Sequence, residues 1–310
     1  MRAKVSVIGA GNVGASLAQC LAVKNIADIV LLDIVEGLPQ GKALDLQESA
    51  PIIGFDSIII GTNDYKDTAG SDVVIITSGV ARKPGMSRDD LIKINANVVG
   101  EVTKNIVKFS PNCVIIIVTN PVDTMTYLAL KTSGFSRNRV FGLSGVLDSA
   151  RLSSFIATEL DVPMTSVQSY ALGEHGQNMV IFPRLATVNK KPITELLPNE
   201  TIDKLINRTI NGGAEIVGLL KSGSAFYAPS AAAARMAEAI IADKKEILPC
   251  AVYLEGEYNL NNVVIGVPVK LGKNGIEEIV DFNLTDEELS ALKKSSEAVR
   301  ALIDTLDNIG

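Results

Sequence analysis

The sequence of 310 residues is poor in cysteine and histidine. Its three cysteines, Cys20, Cys113 and Cys250, lie far apart, and neither a CxxC motif nor a His/Cys cluster accompanies them. This pattern argues against a disulfide framework and against a zinc site. We therefore expect reduced, mostly buried thiols, no bound metal and a cytoplasmic protein.

Long apolar runs are also missing. The most apolar segment, residues 228–242, is interrupted by Arg235 and Glu238, so it falls short of the roughly 18 uncharged residues that a membrane span needs. The N-terminal apolar run ends at glycines and is too short for a signal peptide. The net charge of −6 would repel nucleic-acid phosphates. We expect neither a membrane nor a nucleic-acid partner.

Short runs rich in Val and Ile alternate with helical stretches in the first half of the chain. Near-continuous runs of this kind are typical of parallel strands that are covered on both faces. The rhythm changes after residue 145, and no Pro/Gly/Ser linker separates the two halves. We predict a doubly wound α/β domain over residues 1–144 and an α+β domain over residues 145–310, packed tightly together. The predicted strands of the first domain are 5–8, 29–32, 58–60, 73–77, 114–118 and 140–142, and its predicted helices are 13–24, 89–109 and 123–133. In the second domain we predict short strands at 166–172 and near 179–186, among other elements.

A glycine-rich motif, GAGNVG, follows the first predicted strand and opens a helix. Gly9 permits a tight turn, Gly11 lets a pyrophosphate approach the backbone, and Gly14 lets the helix pack against the strand. Asp33 ends the next strand, where a carboxylate accepts hydrogen bonds from an adenosine ribose and disfavours a 2′-phosphate. A purely structural glycine turn and a strand-end aspartate are the alternatives. Together the features predict NAD binding.

The single histidine, His175, lies in the glycine-flanked loop LGEHGQN. Asp148 and Arg151 are three residues apart at the start of a predicted helix, so they share one face. A carboxylate bound to an imidazole fixes its tautomer and favours its protonated form, which suits acid/base catalysis. Taken singly, the histidine would be a packing or surface residue, the aspartate a helix-start charge and the arginine half of a surface ion pair.

Two further segments follow predicted strands at the edge where ligands bind in such sheets. The first, TSGVARKPGMSRDDL, carries Arg82 and Arg88 around a Pro-Gly pair, which suggests a lid with two anion-binding arginines. A solvated basic loop is the alternative. The second, VTNPVD, offers Asn120, which both donates and accepts hydrogen bonds and suits a ribose or substrate oxygen. The Asn120–Pro121 bond is a candidate for the cis form.

The motifs GAGNVG, LLD, ARKPGMSRDDL, TNPVD, GVLDSAR, GEHG and GSAFYAP resemble the lactate/malate dehydrogenase family in order and in spacing, over essentially the whole chain. The resemblance implies a Rossmann-type doubly wound parallel sheet followed by an α+β substrate and catalytic domain. It also implies NAD as cofactor, a homotetramer or homodimer, and hydride transfer to or from a small 2-hydroxy acid.

The resemblance further assigns roles to residues. It implies that His175 donates and accepts the proton, that Asp148 orients it, and that Arg151 grips the substrate carboxylate. It places Arg88 on the substrate carbonyl, and Arg82 where malate-type members carry arginine and lactate-type members glutamine. Asn120 and Ser224 are implied to contact the substrate. The implied cofactor contacts are Gly9, Ala10, Gly11, Asn12, Val13, Gly14, Asp33, Thr77, Gly79, Asn95, Val118, Thr119 and Asn120.

One departure bears on the substrate. Malate-type members read Gly-Gly-His-Gly-Asp around the histidine, whereas this chain has Glu174, as lactate-type members do, and Gln177, which matches neither type. The prediction is malate/oxaloacetate, with a lactate or dual-specificity 2-hydroxy acid dehydrogenase as the alternative. A non-catalytic NAD-sensing protein is disfavoured because the acid/base pair and all three arginines are present.

Overall fold

The structure is a computed structural model that describes residues 2–80 and 87–309, with the side chains of Arg88 and Ile309 left aside. Its first half contains six parallel strands and the helices between them. In chain order the elements are β1 (Ala3–Ile8), α1 (Asn12–Val23), β2 (Ala27–Leu32), α2 (Leu38–Glu48), α3 (Ala50–Ile53), β3 (Ile59–Thr62), β4 (Val73–Ile76), α4 (Arg88–Phe109), β5 (Val114–Ile117), α5 (Val122–Ser133) and β6 (Val140–Leu143).

The six strands lie in the order β3-β2-β1-β4-β5-β6, all parallel. Consecutive residues of β4 belong to two separate apolar clusters, since Ile75 packs into one and Ile76 into the other. The sheet is therefore covered on both faces, as its Val/Ile runs predict. The strand order reverses between β1 and β4, which opens a crevice at their carboxyl ends.

The second half adds mostly antiparallel strands and four long helices. Its elements are α6 (Gly145–Leu160), β7 (Val167–Gln168), β8 (Ala171–Gly173), β9 (Met179–Ile181), β10 (Thr187–Val188), β11 (Lys191–Pro192), α7 (Asn199–Leu220), α8 (Tyr227–Ile241), β12 (Glu246–Glu255), β13 (Asn261–Gly272), β14 (Gly275–Ile279) and α9 (Asp286–Ile309).

The two halves share one sheet. Strand β12 pairs antiparallel with β6, and β13, β8 and β9 extend the sheet beyond it, while β11, β10 and β7 form a small separate sheet. One apolar cluster includes Val7 from the first half and Ala233 and Ile265 from the second. The tight packing expected from the missing linker is present.

Several local predictions were wrong. Helix α2 was not predicted, because Pro39 and Gly41 interrupt a segment with little amphipathic character. The strand predicted at 166–172 is divided into β7 and β8, and the one predicted at 179–186 ends at Ile181, before a 3₁₀ turn at Pro183–Leu185. The main strands of the first half are confirmed to within about two residues, which is ordinary scatter for element boundaries.

The cysteines behave as expected from their spacing. All three are free thiols; Cys113 and Cys250 are buried and Cys20 is half-buried. Within residues 2–80 and 87–309, no helix has both the length and the apolar character that crossing a bilayer requires. Over the same residues, no group of His, Cys, Asp and Glu side chains has the arrangement of a metal site.

Candidate active site

The glycine motif forms the turn between β1 and α1. Gly9 has a φ of +107°, and a Cβ there would lie 2.8 Å from the Ser78 nitrogen. A Cβ on Gly14 would lie 1.7 Å from the Gly9 carbonyl oxygen, whereas a Cβ on Gly11 would have no atom of the described residues within 4 Å. Two of the glycines are thus required for packing, while Gly11 leaves open space at a helix start that no described side chain caps. This arrangement fits a dinucleotide pyrophosphate.

Asp33, at the end of β2, braces this turn. Its Oδ2 accepts a hydrogen bond from the Ala10 N–H at 2.6 Å, and its Oδ1 accepts one from Val35 at 3.0 Å. Lys42 on α2 donates to the Ala10 carbonyl at 2.7 Å and brings positive charge to the turn. Lys42 was not among the residues predicted from the sequence, because the helix that carries it was not predicted.

Asn95 joins the ends of β4 and β5. Its amide donates to the Asn120 carbonyl at 2.7 Å, and its Oδ1 accepts from the Val80 N–H at 2.8 Å. Gly79 has a φ of +149°, and a Cβ there would lie 2.6 Å from the Thr119 methyl group. The Asn120–Pro121 peptide bond is cis. These contacts form a closely packed floor beside the glycine turn.

His175, Asp148 and Arg151 form one hydrogen-bonded group. The Nδ1 atom of His175 lies 2.6 Å from Asp148 Oδ2, and Nη1 of Arg151 donates to Asp148 Oδ1 at 2.9 Å. Asp148 is 1% exposed, and the side chains of His175 and Arg151 are 15% and 14% exposed. The expected grouping is therefore present, with the carboxylate between the two basic groups.

The charges around His175 favour its protonated form. Burial alone would lower the pKa of His175, but the charge and hydrogen bond of Asp148, together with the charge of Asp123, outweigh burial and raise it. Arg151 opposes this rise. Because Asp148 holds Nδ1, the Nε2 atom is the ring nitrogen available for proton exchange with a ligand.

A cavity of about 350 Å³ adjoins this group. Arg151 faces it, and the Nε atom of Arg151 is buried without a hydrogen-bond partner among the described residues. Such an atom is suited to an anionic ligand. The predicted site residues that line the cavity are Val13, Val118, Asn120, Asp148, Arg151, His175 and Ser224.

Two glycines of α7 make room for Arg151. A Cβ on Gly212 would lie 3.2 Å from Arg151 Cδ, and one on Gly213 would lie 3.7 Å from its Nη2 atom. This pair was not predicted from the sequence, because a Gly-Gly pair within a helical pattern carries no chemical signal of its own.

The structure describes the side chain of neither predicted lid arginine. Arg82 belongs to residues 81–86, which lie outside the described residues, and only the main chain of Arg88, the first residue of α4, is described. Of the two departures from the malate-type pattern, Gln177 lines the cavity. Glu174 is buried, and its carboxylate accepts hydrogen bonds from Asn178 within the loop.

Comparison with known families agrees with these features. Residues 3–142 match the family described as lactate/malate dehydrogenase, NAD binding domain, and residues 145–309 match lactate/malate dehydrogenase, alpha/beta C-terminal domain. The chain belongs to the lactate/malate dehydrogenase family. As a member of the lactate/malate dehydrogenase family it is an NAD-dependent oxidoreductase, and the predicted Rossmann-type fold is confirmed.

Individual members of the lactate/malate dehydrogenase family are similar over almost their full lengths. Malate dehydrogenase of Methanosarcina mazei is 56% identical and that of Dehalococcoides mccartyi 55%, each alignment covering 98% of this chain and 99% of the relative. The solved malate dehydrogenase of Salinibacter ruber is 50% identical with a TM-score of 0.95, covering 99% of this chain and 98% of that one. The lactate dehydrogenase of Cryptosporidium parvum, solved with lactic acid and the nicotinamide dinucleotide, is 40% identical with a TM-score of 0.95 and 99% coverage of both chains.

Proposed function

We propose that the protein is a malate dehydrogenase that interconverts malate and oxaloacetate with NAD, using His175 as the acid/base. The observation that carries the proposal is the buried His175–Asp148–Arg151 group beside a cavity that also borders the glycine turn. An imidazole hydrogen-bonded to a carboxylate can act as a general acid and base, and a desolvated guanidinium binds carboxylates. The site therefore has the groups needed to bind a 2-keto or 2-hydroxy acid and to transfer its proton. The malate dehydrogenases that are more than half identical over the full length support the choice of malate.

In the proposed reduction, Arg151 pairs with the carboxylate next to the ketone and orients the substrate in the cavity. His175 enters the step protonated, and its Nε2 atom gives the proton to the ketone oxygen. Asp148 lies between the imidazole ring and Arg151 and fixes the orientation of both. When bound, NADH supplies the hydride to the carbonyl carbon. In the opposite direction His175 removes the hydroxyl proton of malate.

The remaining residues take supporting parts in this proposal. The glycine turn would hold the pyrophosphate, Asp33 the adenosine ribose and Asn120 the nicotinamide ribose or the substrate, while Ser224 borders the nicotinamide end. Arg88 would bind the ketone oxygen and Arg82 the second carboxylate of oxaloacetate, on the strength of the lid motif. We also propose that the NAD-binding domain ends at residue 144, and that the chain works in the cytoplasm as a homotetramer or homodimer.

Lactate or dual specificity is the second candidate function. Gln177 lines the cavity at the position where the malate-type pattern has aspartate, so that pattern is incomplete at a surface the substrate would face. A lactate dehydrogenase with nearly the same fold also resembles the chain, so fold alone does not separate the two substrates.

Steady-state kinetics with NADH and either oxaloacetate or pyruvate test the proposal. We expect oxaloacetate to be preferred, and Arg82→Gln to lower kcat/KM for oxaloacetate on the order of 100-fold, because a desolvated arginine–carboxylate pair is worth roughly 2–5 kcal/mol. His175→Asn should lower kcat by about 100-fold or more. Equal activity of wild type and His175→Asn would refute the acid/base role, and a preference for pyruvate would refute the substrate.

A further inference from the structure

A second carboxylate contacts the histidine loop and has no part in the proposed reaction. Asp123 lies in the first turn of α5 and is 3% exposed. Its Oδ2 accepts a hydrogen bond from the main-chain N–H of His175 at 3.0 Å, and its buried Oδ1 has no hydrogen-bond partner among the described residues.

We propose that Asp123 is a positioning residue for the acid/base step: its carboxylate holds the His175 main chain in place relative to Asn120, and its charge favours the imidazolium. The proposal rests on the acid/base role proposed above for His175. It adds a second carboxylate, which acts through the histidine and does not touch the substrate.

The histidine loop is held from several sides. The N–H of Glu174 donates to the Ser295 hydroxyl at 2.8 Å, and that hydroxyl donates to the Asn178 carbonyl at 2.6 Å, which ties the loop to α9. His175 itself is held at its ring by Asp148 and at its main chain by Asp123. Asp123 therefore fixes the position of the His175 main chain, while Asp148 fixes the orientation of the imidazole ring.

The same carboxylate links the histidine to the end of β5. Asp123 follows Asn120 by three residues, and the Asn120 carbonyl is itself bound by the Asn95 amide. Asn120 and His175 both line the cavity. A bond from the start of α5 to the His175 main chain thus maintains the spacing between these two cavity residues.

A neutral side chain could accept the hydrogen bond from the His175 main-chain N–H, and its burial would cost less free energy. Burying a carboxylate is expensive, and a buried oxygen without a partner increases the cost. Burial raises the pKa of Asp123 to about 7, although the hydrogen bond and charge of His175 act in the opposite direction. The cost is offset when the neighbouring imidazole is protonated, because the two opposite charges then stabilise each other.

The charged groups around His175 determine whether its pKa should rise or fall when the charge of Asp123 is removed. Asp148 and Asp123 raise the pKa of His175, whereas Arg151 on α6 lowers it. Glu174 in the loop and Asp148 act on Asp123 and raise its pKa. Removing the charge of Asp123 takes away one of the groups that favour the imidazolium, so the pKa of His175 should fall.

Because the chain contains one histidine, NMR of protein labelled with ¹³C-histidine reports on His175 alone. In Asp123→Asn, which keeps the shape and an acceptor oxygen, we expect the imidazole signal to titrate at a lower pH than in the wild type, by about one pH unit. The same titration in both proteins would overturn the proposal.

Thr124→Val is the matched control. Thr124 is the next residue of α5, is fully buried, and its hydroxyl has no hydrogen-bond partner among the described residues. The His175 signal of Thr124→Val should titrate at the same pH as that of the wild type. A shift in Thr124→Val as large as that in Asp123→Asn would show that any change in this turn disturbs the loop, and would also overturn the proposal.

Kinetics test the positioning role separately. Asp123→Ala removes the acceptor and should lower kcat for oxaloacetate about 10- to 100-fold, with the NADH dissociation constant unchanged. Asp123→Ser, which retains an acceptor oxygen on a shorter side chain, should recover part of that loss in kcat. The serine variant also tests the positioning role if the alanine variant does not fold. Unchanged kcat in both variants refutes the positioning role. Absence of oxaloacetate reduction in the wild type would instead refute the proposed function, while the NMR titration would still test the electrostatic contact.

Discussion

The Gly212 position provides a direct test of how closely α7 must approach Arg151. In Gly212→Ala the added Cβ would lie 3.2 Å from Arg151 Cδ and 3.5 Å from its Nε atom. Carbon atoms in good contact are about 3.5–4.0 Å apart, so the arginine must retreat by roughly 0.3 Å or more. Its guanidinium is hydrogen-bonded to the buried Asp148, so the retreat strains the group that would grip the substrate carboxylate.

The expected loss follows from that displacement. Because a misplacement of about 1 Å costs about 100-fold, we expect kcat/KM for oxaloacetate to fall roughly three- to tenfold, mainly through KM. Steady-state kinetics measure this loss, and titration of NADH fluorescence should show unchanged cofactor affinity.

Gly218→Ala is the matched control in the same helix. Gly218 is exposed, and a Cβ there would have no atom from the described part of the chain within 4 Å. The variant should keep wild-type kinetics and gain about 0.5–1 kcal/mol of stability from helix propensity. If Gly212→Ala keeps the wild-type KM for oxaloacetate, the close approach of α7 does not position Arg151.

Two further predictions concern the glycine turn and an ion pair. Gly14→Ala places a Cβ 1.7 Å from the Gly9 carbonyl, so NADH affinity measured by calorimetry should fall at least about tenfold, whereas unchanged affinity would contradict the packing role. The hydrogen bond from Arg137 lowers the pKa of Glu257 from 4.5 to about 2, so its stabilisation is present above pH 4.5 and is lost as the pH falls towards 2. Urea unfolding should show that Glu257→Gln lowers the free energy of unfolding by about 1 kcal/mol or less near neutral pH. This difference from the wild type should shrink as the pH is lowered, and a difference that does not change with pH would contradict the prediction.

Local patterns were sufficient to predict much of the fold. The runs of Val and Ile predict the parallel strands, and the glycine motif predicts the turn between β1 and α1, because these features depend on neighbouring residues. Helix α2 was missed because its stability comes from packing against β3 rather than from its own sequence. The short strands of the second half were misplaced for the same reason, since their pairing partners are distant in the chain.

The order of residues along the chain is enough to identify the chemical groups of the site: one imidazole, the acid and arginine three residues apart, and a glycine turn for a dinucleotide. The spacing of Asp148 and Arg151 follows from helix geometry alone. The contact of Asp123 with the His175 main chain and the contact of Gly212 with Arg151 are formed by the folding of the whole chain. These contacts join segments 52 and 61 residues apart, and long-range packing of whole elements, which no local pattern encodes, brings them together.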